Sequence, residues 1–291
     1  MASPAQWVEG ARLRTLPVSV APVLAGTGAA DIAGRVVVGK AVGCLVLALV
    51  LQVGVNFAND YSDGIRGTDA DRVGPLRLTG SGAAPPRSVR NAAFACFAVA
   101  AVVGVALAAT SSWWLLAVGA AAIAAAWTYT GGKRPYGYVG LGELVSFVFF
   151  GLVATCGTTF VQAGRVTADS VLAAVGVGCL TAAVLVANNL RDVPTDAASG
   201  KRTLAVRIGE RRTRLLFTAL GTVPFLLVFA LAVRHGPWLL LVLLALPVIG
   251  RAVRVTGSGA RGLDLVPVLR DASLADAAYG LLVGLALVLA S

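Results

Sequence analysis

The sequence predicts an all-α, polytopic membrane protein, with nine transmembrane helices around a central cavity and cytoplasmic cap loops. Three observations carry this. Of 291 residues, 57% are hydrophobic and only 13% charged, roughly half the charge of a soluble domain. Apolar stretches of bilayer-spanning length recur along the whole chain. The basic residues are concentrated in alternate connections.

The spans follow in order. The first, about 14–33, contains Pro17 and Pro22; it is long and lacks the cleavage site of a signal peptide, so it reads as a span. The second, about 36–60, runs into the polar cluster Asn56-Phe57-Ala58-Asn59-Asp60-Tyr61-Ser62-Asp63. The third (89–109) and fourth (112–130) meet at Thr110-Ser111-Ser112, barely a turn. The fifth, 139–162, follows a glycine-rich connection. The sixth, 168–190, leads into Asn188-Asn189-Leu190-Arg191-Asp192-Val193-Pro194-Thr195-Asp196. The last three, about 212–233, 237–256 and 272–290, are plainly apolar. Residues 1–291 read as one transmembrane domain. The four cysteines lie in spans and are expected to pack as small core residues, without disulfides.

Nine spans place the termini on opposite sides. Twenty of the 24 basic residues then fall on the N-terminal side, against Arg35, Lys40, Arg165 and Arg234 on the other. The positive-inside rule puts the N-terminus and both acidic clusters in the cytoplasm, in a multi-pass protein of the plasma membrane. A basic membrane face accounts for the net charge of +10 without a nucleic-acid partner. Oligomeric state leaves no mark in the sequence.

The two clusters carry the chemistry. Each ends an even-numbered span and opens a long cytoplasmic loop, which suggests a faint duplication of four helices. Asn56, Asp60 and Asp63 share a helical face, as do Asn188 and Asp192. Pro194 disfavours helix at Val193, so Asp196 is expected on a loop or a new turn. Single carboxylates at span ends commonly serve as caps or surface ion pairs. Two matched sets point instead to one shared site. Carboxylates and amides form an oxygen-only donor set that suits Mg2+, while the single histidine, His235, falls on the opposite side. Nearby Arg72, Arg77, Lys133, Arg134, Arg191, Lys201 and Arg202 suit a phosphorylated ligand. No Walker loop or dinucleotide fingerprint is present, which disfavours ATP hydrolysis and hydride transfer.

These clusters resemble the two aspartate-rich motifs of UbiA-type intramembrane prenyltransferases. Ala11-Arg12-Leu13-Arg14-Thr15-Leu16-Pro17, Gly74-Pro75-Leu76-Arg77, Tyr129-Thr130-Gly131-Gly132, Pro135-Tyr136-Gly137-Tyr138 and Gly200-Lys201-Arg202-Thr203 resemble its MenA branch, which prenylates 1,4-dihydroxy-2-naphthoate in menaquinone synthesis. The resemblance covers about residues 7–210. Many family members have a further Asp where this chain has Gly67, with Asp69 and Asp71 nearby, and other branches often have Asp at Asn188.

The resemblance implies a role for each residue. Asp60, Asp63, Asp192 and Asp196, with Asn56 and Asn188, would hold Mg2+ on a polyprenyl diphosphate. Arg72, Lys133 and Lys201 would neutralise it, aided by Arg77, Arg134, Arg191 and Arg202, with Asn59 and Asn189 also contacting substrate. Tyr61, Tyr129 and Tyr136 would shield the allylic cation. Ring attack and loss of CO2 would give demethylmenaquinone. Glu143 and Trp127 read as structural. The alternatives are a related aromatic acceptor, 4-hydroxybenzoate or homogentisate, or, outside the family, a cation-coupled transporter.

Overall fold

The computed structural model describes residues 2–68 and 76–291, and the secondary structure among them is entirely helical. Among the described residues, seven helices are long and apolar enough to cross a membrane. An eighth crossing forms if Pro4–Thr15 and Pro17–Ile32, bent by 47°, count as one span. The remaining apolar helix, Leu115–Thr128, has 14 residues, roughly 21 Å at the α-helical rise and short of a bilayer core. Each of the nine stretches forms a helix where expected, but the count of nine spans is not reached by length.

The helices are α1 (Pro4–Gly10), α2 (Pro17–Ile32), α3 (Val38–Arg66), α4 (Pro86–Ala109), α5 (Leu115–Thr128) and α6 (Gly142–Ala163), then α7 (Ala168–Arg191), α8 (Val193–Ala198), α9 (Leu204–His235), α10 (Pro237–Gly257) and α11 (Val266–Ala290). The chain is a multi-pass membrane protein. Its centre is α7, where 72% of the apolar window is buried against 33% in α3 and α9. Thr167 starts α7 with a capping box shared with Ser170, satisfying the first orphan amides.

Two groups of helices meet at α2 and α7. The helices α3, α4 and α5 stand on one side with α6, and α9, α10 and α11 pack on the other. The α2–α11 contact is close because it is built on small residues: a Cβ on Gly28 would run into the Gly284 backbone, and one on Gly280 into that of Ala21. Without a hydrophobic drive in lipid, such backbone approach gives helices their packing energy. A cavity of about 550 Å³ opens between α2 and α7, lined by each helix from α2 to α7.

The helix ends position the polar residues. α3 continues six residues past the apolar stretch and stops at Gly67, whose φ of 73° suits a glycine C-cap. Its last turns therefore carry Asn56, Asn59, Asp60 and Asp63. At the end of α7, Asp192 leaves helical geometry and Pro194 starts the new short helix α8. Asp196 thus lies on a new turn, as Pro194 suggested.

Candidate active site

The cavity is apolar through most of its depth, with Leu107, Leu115, Ile123, Phe149 and Val161 on its walls. Phe149 belongs to a π-helical stretch of α6, Phe147–Val153. The mouth is polar: Arg12, Asn56, Asn59, Asp63, Asn188 and Lys201 all line it. The two clusters thus contribute to one chamber.

Tyr138 joins them. Its O–H donates to the Asp63 Oδ1 at 2.8 Å, and its ring lies under Lys201 Nζ at 5.4 Å and Arg66 at 5.2 Å. Lys201 reaches Asp196 at 3.4 Å. First cluster, tyrosine, lysine and second cluster therefore form one chain of contacts. Burial pushes the Tyr138 phenol up to about 12, so it remains a donor at neutral pH. Sequence reasoning passed over Tyr138 in favour of Tyr136; alternating tyrosines on a short 3-10 turn gave no cue as to which would meet a carboxylate.

The other amides and acids have distinct partners. Asn56 donates to the Ala11 carbonyl at 2.9 Å and Thr15 at 3.0 Å. Asn59 accepts from Thr130 at 2.8 Å. Arg77, nearly buried, approaches Asp63 at 3.7 Å. Arg191 binds Asp192 through Nε at 2.6 Å and holds the Asn188 oxygen at 2.9 Å. Tyr129 and Tyr136 line the cavity with ring centroids 5.4 Å apart. The Tyr136 O–H is donated to the Ala125 carbonyl, leaving the ring as its contribution to the wall.

Several expected residues lie elsewhere. Asp60 is fully buried and faces away from the chamber, accepting the backbone N–H of Leu78 at 2.7 Å and of Thr79 at 2.8 Å. It fastens the returning loop to α3, because two amides otherwise orphaned in a tight turn need an acceptor. Asn189 turns behind the site to donate to Glu143 at 2.8 Å. Tyr61 stacks on Trp127 at 6.1 Å, outside the cavity lining. Lys133, Arg134 and Arg202 are exposed and do not line the chamber. Arg72, with Asp69 and Asp71, lies outside the described residues.

For a divalent cation the donors are all oxygen, the chemistry Mg2+ prefers. Among the described residues, no three carboxylate, histidine or cysteine groups gather into a self-sufficient metal site. Of the expected metal carboxylates Asp63 lines the chamber, whereas Asp192 and Asp196 do not line it and are joined to Arg191 and Lys201; with phosphates, Mg2+ usually completes its shell with substrate oxygens. Asp60, buried outside the cavity lining with both oxygens on loop amides, does not fit.

A charged mouth opening into a deep apolar hole between membrane helices defines a membrane-embedded site for a molecule with an anionic head and a long hydrocarbon tail. Residues 16–259 match the UbiA prenyltransferase family, and the chain belongs to that family. It is 54% identical to the 1,4-dihydroxy-2-naphthoate octaprenyltransferase of Mycobacterium tuberculosis, across 99% of this chain and 98% of that one. The protein of that name from Escherichia coli is 37% identical over 85% and 83% of the two chains. The fold is similar to that of a UbiA homolog from Archaeoglobus fulgidus solved with DMAPP and Mg2+, with a TM-score of 0.66, 14% identity, and coverage of 96% and 98%.

Proposed function

We propose that this protein transfers a polyprenyl group from polyprenyl diphosphate to 1,4-dihydroxy-2-naphthoate, releasing diphosphate and CO2 and giving demethylmenaquinol, the hydroquinone form of demethylmenaquinone. One observation carries the reading: the polar mouth and apolar hole form a single cavity, in a chain 54% identical over nearly full length to a protein named for that reaction. The tail of the donor would lie between α3 and α6, with its diphosphate at the mouth.

Mg2+ held by Asp63, Asp192 and Asp196, with support from the Asn59 and Asn188 amides, would neutralise the diphosphate and make it a better leaving group. Lys201 and Arg77 add positive charge on the same side of the chamber, and Arg191 holds Asp192 and Asn188 in place. The allylic C1–O bond breaks with its electron pair moving to the diphosphate. The ring faces of Tyr129 and Tyr136 stabilise positive charge developing at C1. The electron-rich ring forms the new bond to C1, and the carboxylate departs as CO2, leaving its electron pair with the ring. Apolar walls keep water from capturing the cation.

The twenty-to-four split of basic residues supports a mouth facing the cytoplasm of a plasma-membrane protein. Purified protein given labelled polyprenyl diphosphate, Mg2+ and a panel of aromatic acids tests the reading, with products identified by mass. Prenylated, decarboxylated product is expected from 1,4-dihydroxy-2-naphthoate, and none in EDTA. Product from 4-hydroxybenzoate or homogentisate instead would overturn the acceptor assignment; ion uptake into vesicles without diphosphate release would overturn the enzyme.

A further inference from the structure

The elbow between α1 and α2 holds an arginine that the donor site leaves unused. Arg12 has φ 54° and ψ 56°, the one described residue other than glycine with positive φ. A side chain is disfavoured there, and such conformations persist where the surrounding structure imposes them and cluster at ligand clamps. Arg12 lines the cavity. Its Nε and one terminal nitrogen, Nη2, are buried and have no hydrogen-bond partner. No carboxylate among the described residues pairs with it, in contrast to Lys201 with Asp196, Arg77 with Asp63 and Arg191 with Asp192. A buried guanidinium edge with two unmet donors is costly unless a ligand anion meets it.

The surroundings indicate which anion. Arg12 stands on the α1–α2 side, next to Thr15, whose hydroxyl donates to the Arg12 carbonyl. Below it the same wall carries a side-chain network: Gln52 donates to Thr15 at 3.1 Å, and Asn56 donates to Thr15 at 3.0 Å. Ser19 approaches Gln52 at 3.5 Å. These neutral donors and acceptors suit ring hydroxyls. The nearby carboxylates, Asp63, Asp192 and Asp196, each have a cation of their own. We infer that Arg12 binds the carboxylate of the aromatic acceptor, with the Thr15–Gln52–Ser19 wall facing its ring oxygens; this rests on the acceptor proposed above. A planar guanidinium offers two parallel N–H donors to a carboxylate. Fixing the acid at this elbow holds the ring in the same chamber as the donor.

The test uses the full-length protein in detergent, with separate titrations of donor and acceptor. Arg12→Gln is expected to raise the acceptor KM by on the order of tenfold or more and to leave the donor KM within about twofold. Competition by 1-hydroxy-2-naphthoate and by 1-naphthol supplies a second readout: the preference for the acid over its decarboxylated analogue should shrink by the same factor. Arg12→Gly separates binding from folding, because glycine accepts this φ without strain. It should melt no lower than wild type and still lose the acid preference. A raised donor KM with an unchanged acceptor KM would assign Arg12 to the diphosphate, and unchanged values for both would remove it from the site; either overturns the inference. These outcomes presuppose wild-type turnover of 1,4-dihydroxy-2-naphthoate. Absence of that turnover would instead defeat the functional reading.

Discussion

Asp60→Asn distinguishes fastening from metal binding. The aspartate belongs to the acidic cluster that a sequence reader assigns to Mg2+, yet both its oxygens hold loop amides, at 2.7 and 2.8 Å. Asparagine keeps one acceptor oxygen and turns an N–H2 toward the other amide. One charge-assisted bond is lost and a buried N–H is left unmet, which costs about 2–4 kcal/mol after relief of the buried charge. The loop keeps its internal bonds, Ser81 N–H to Arg77 O at 2.9 Å and Ala84 N–H to Leu78 O at 2.9 Å, so it loosens from α3 as a unit. Thermal unfolding followed by fluorescence-detected size exclusion should show a melting temperature lower by several degrees. At 25 °C the variant should turn over within about tenfold of wild type, with half-saturating Mg2+ unchanged. A variant of wild-type melting temperature that needs far more Mg2+ would refute the argument and return Asp60 to the metal.

Three other outcomes follow from the geometry. Asp63→Asn should lower kcat/KM on the order of 100-fold or more in the same turnover assay, whereas Lys133→Gln, on an exposed side chain, should change it less than about threefold. Tyr138→Phe deletes the O–H that reaches Asp63 and should cost about 1.5–3 kcal/mol, read as a lower unfolding midpoint together with weaker donor binding. The Tyr138 phenol is raised to about 12 in the folded protein against about 10 unfolded; its contribution is therefore full below about pH 10 and fades between about 10 and 12, so the wild-type–mutant difference in midpoint should be constant from neutral pH to about 9. Gly280→Ala drives a methyl group into the Ala21 backbone and should destabilise by about 1–3 kcal/mol, seen as a lower melting temperature with the acceptor KM unchanged.

The sequence made the helices plain because lipid imposes long apolar stretches and leaves few alternatives. It also placed Asn56, Asp63, Asn188 and Lys201 at one mouth through span ends and charge bias. Its error at Asp60 has a geometric cause. At 3.6 residues per turn Asp60 and Asp63 stand about 60° apart, so Asp60 occupies the edge of the face. Which side claims it depends on where the Leu78–Thr79 amides return, a tertiary fact no spacing encodes. The same holds for Lys133, Arg134 and Arg202, which share a membrane face with the site without sharing its chamber. Arg12 and Arg14 look interchangeable in the sequence, yet the left-handed turn at Arg12 sends one into the cavity and leaves the other exposed.

The assembly of the mouth has a consequence for how the two clusters act. Asp63 and Asp196 belong to helices separated by more than a hundred residues of chain, and Tyr138 contacts Asp63 directly and Lys201, the partner of Asp196. The Tyr138 backbone carbonyl also accepts the N–H of Arg202, so the α5–α6 connection is bonded to the α8–α9 connection as well as to α3. A change in either cluster would then be felt by the other through the tyrosine rather than through solvent. In a double-mutant cycle, Asp63→Asn and Lys201→Gln should be non-additive by about 0.5–3 kcal/mol in kcat/KM, and the coupling should shrink toward zero in the Tyr138→Phe background. A coupling of equal size with and without the tyrosine hydroxyl would mean that the two halves communicate only through the bound diphosphate, and Tyr138 would be a wall and not a link.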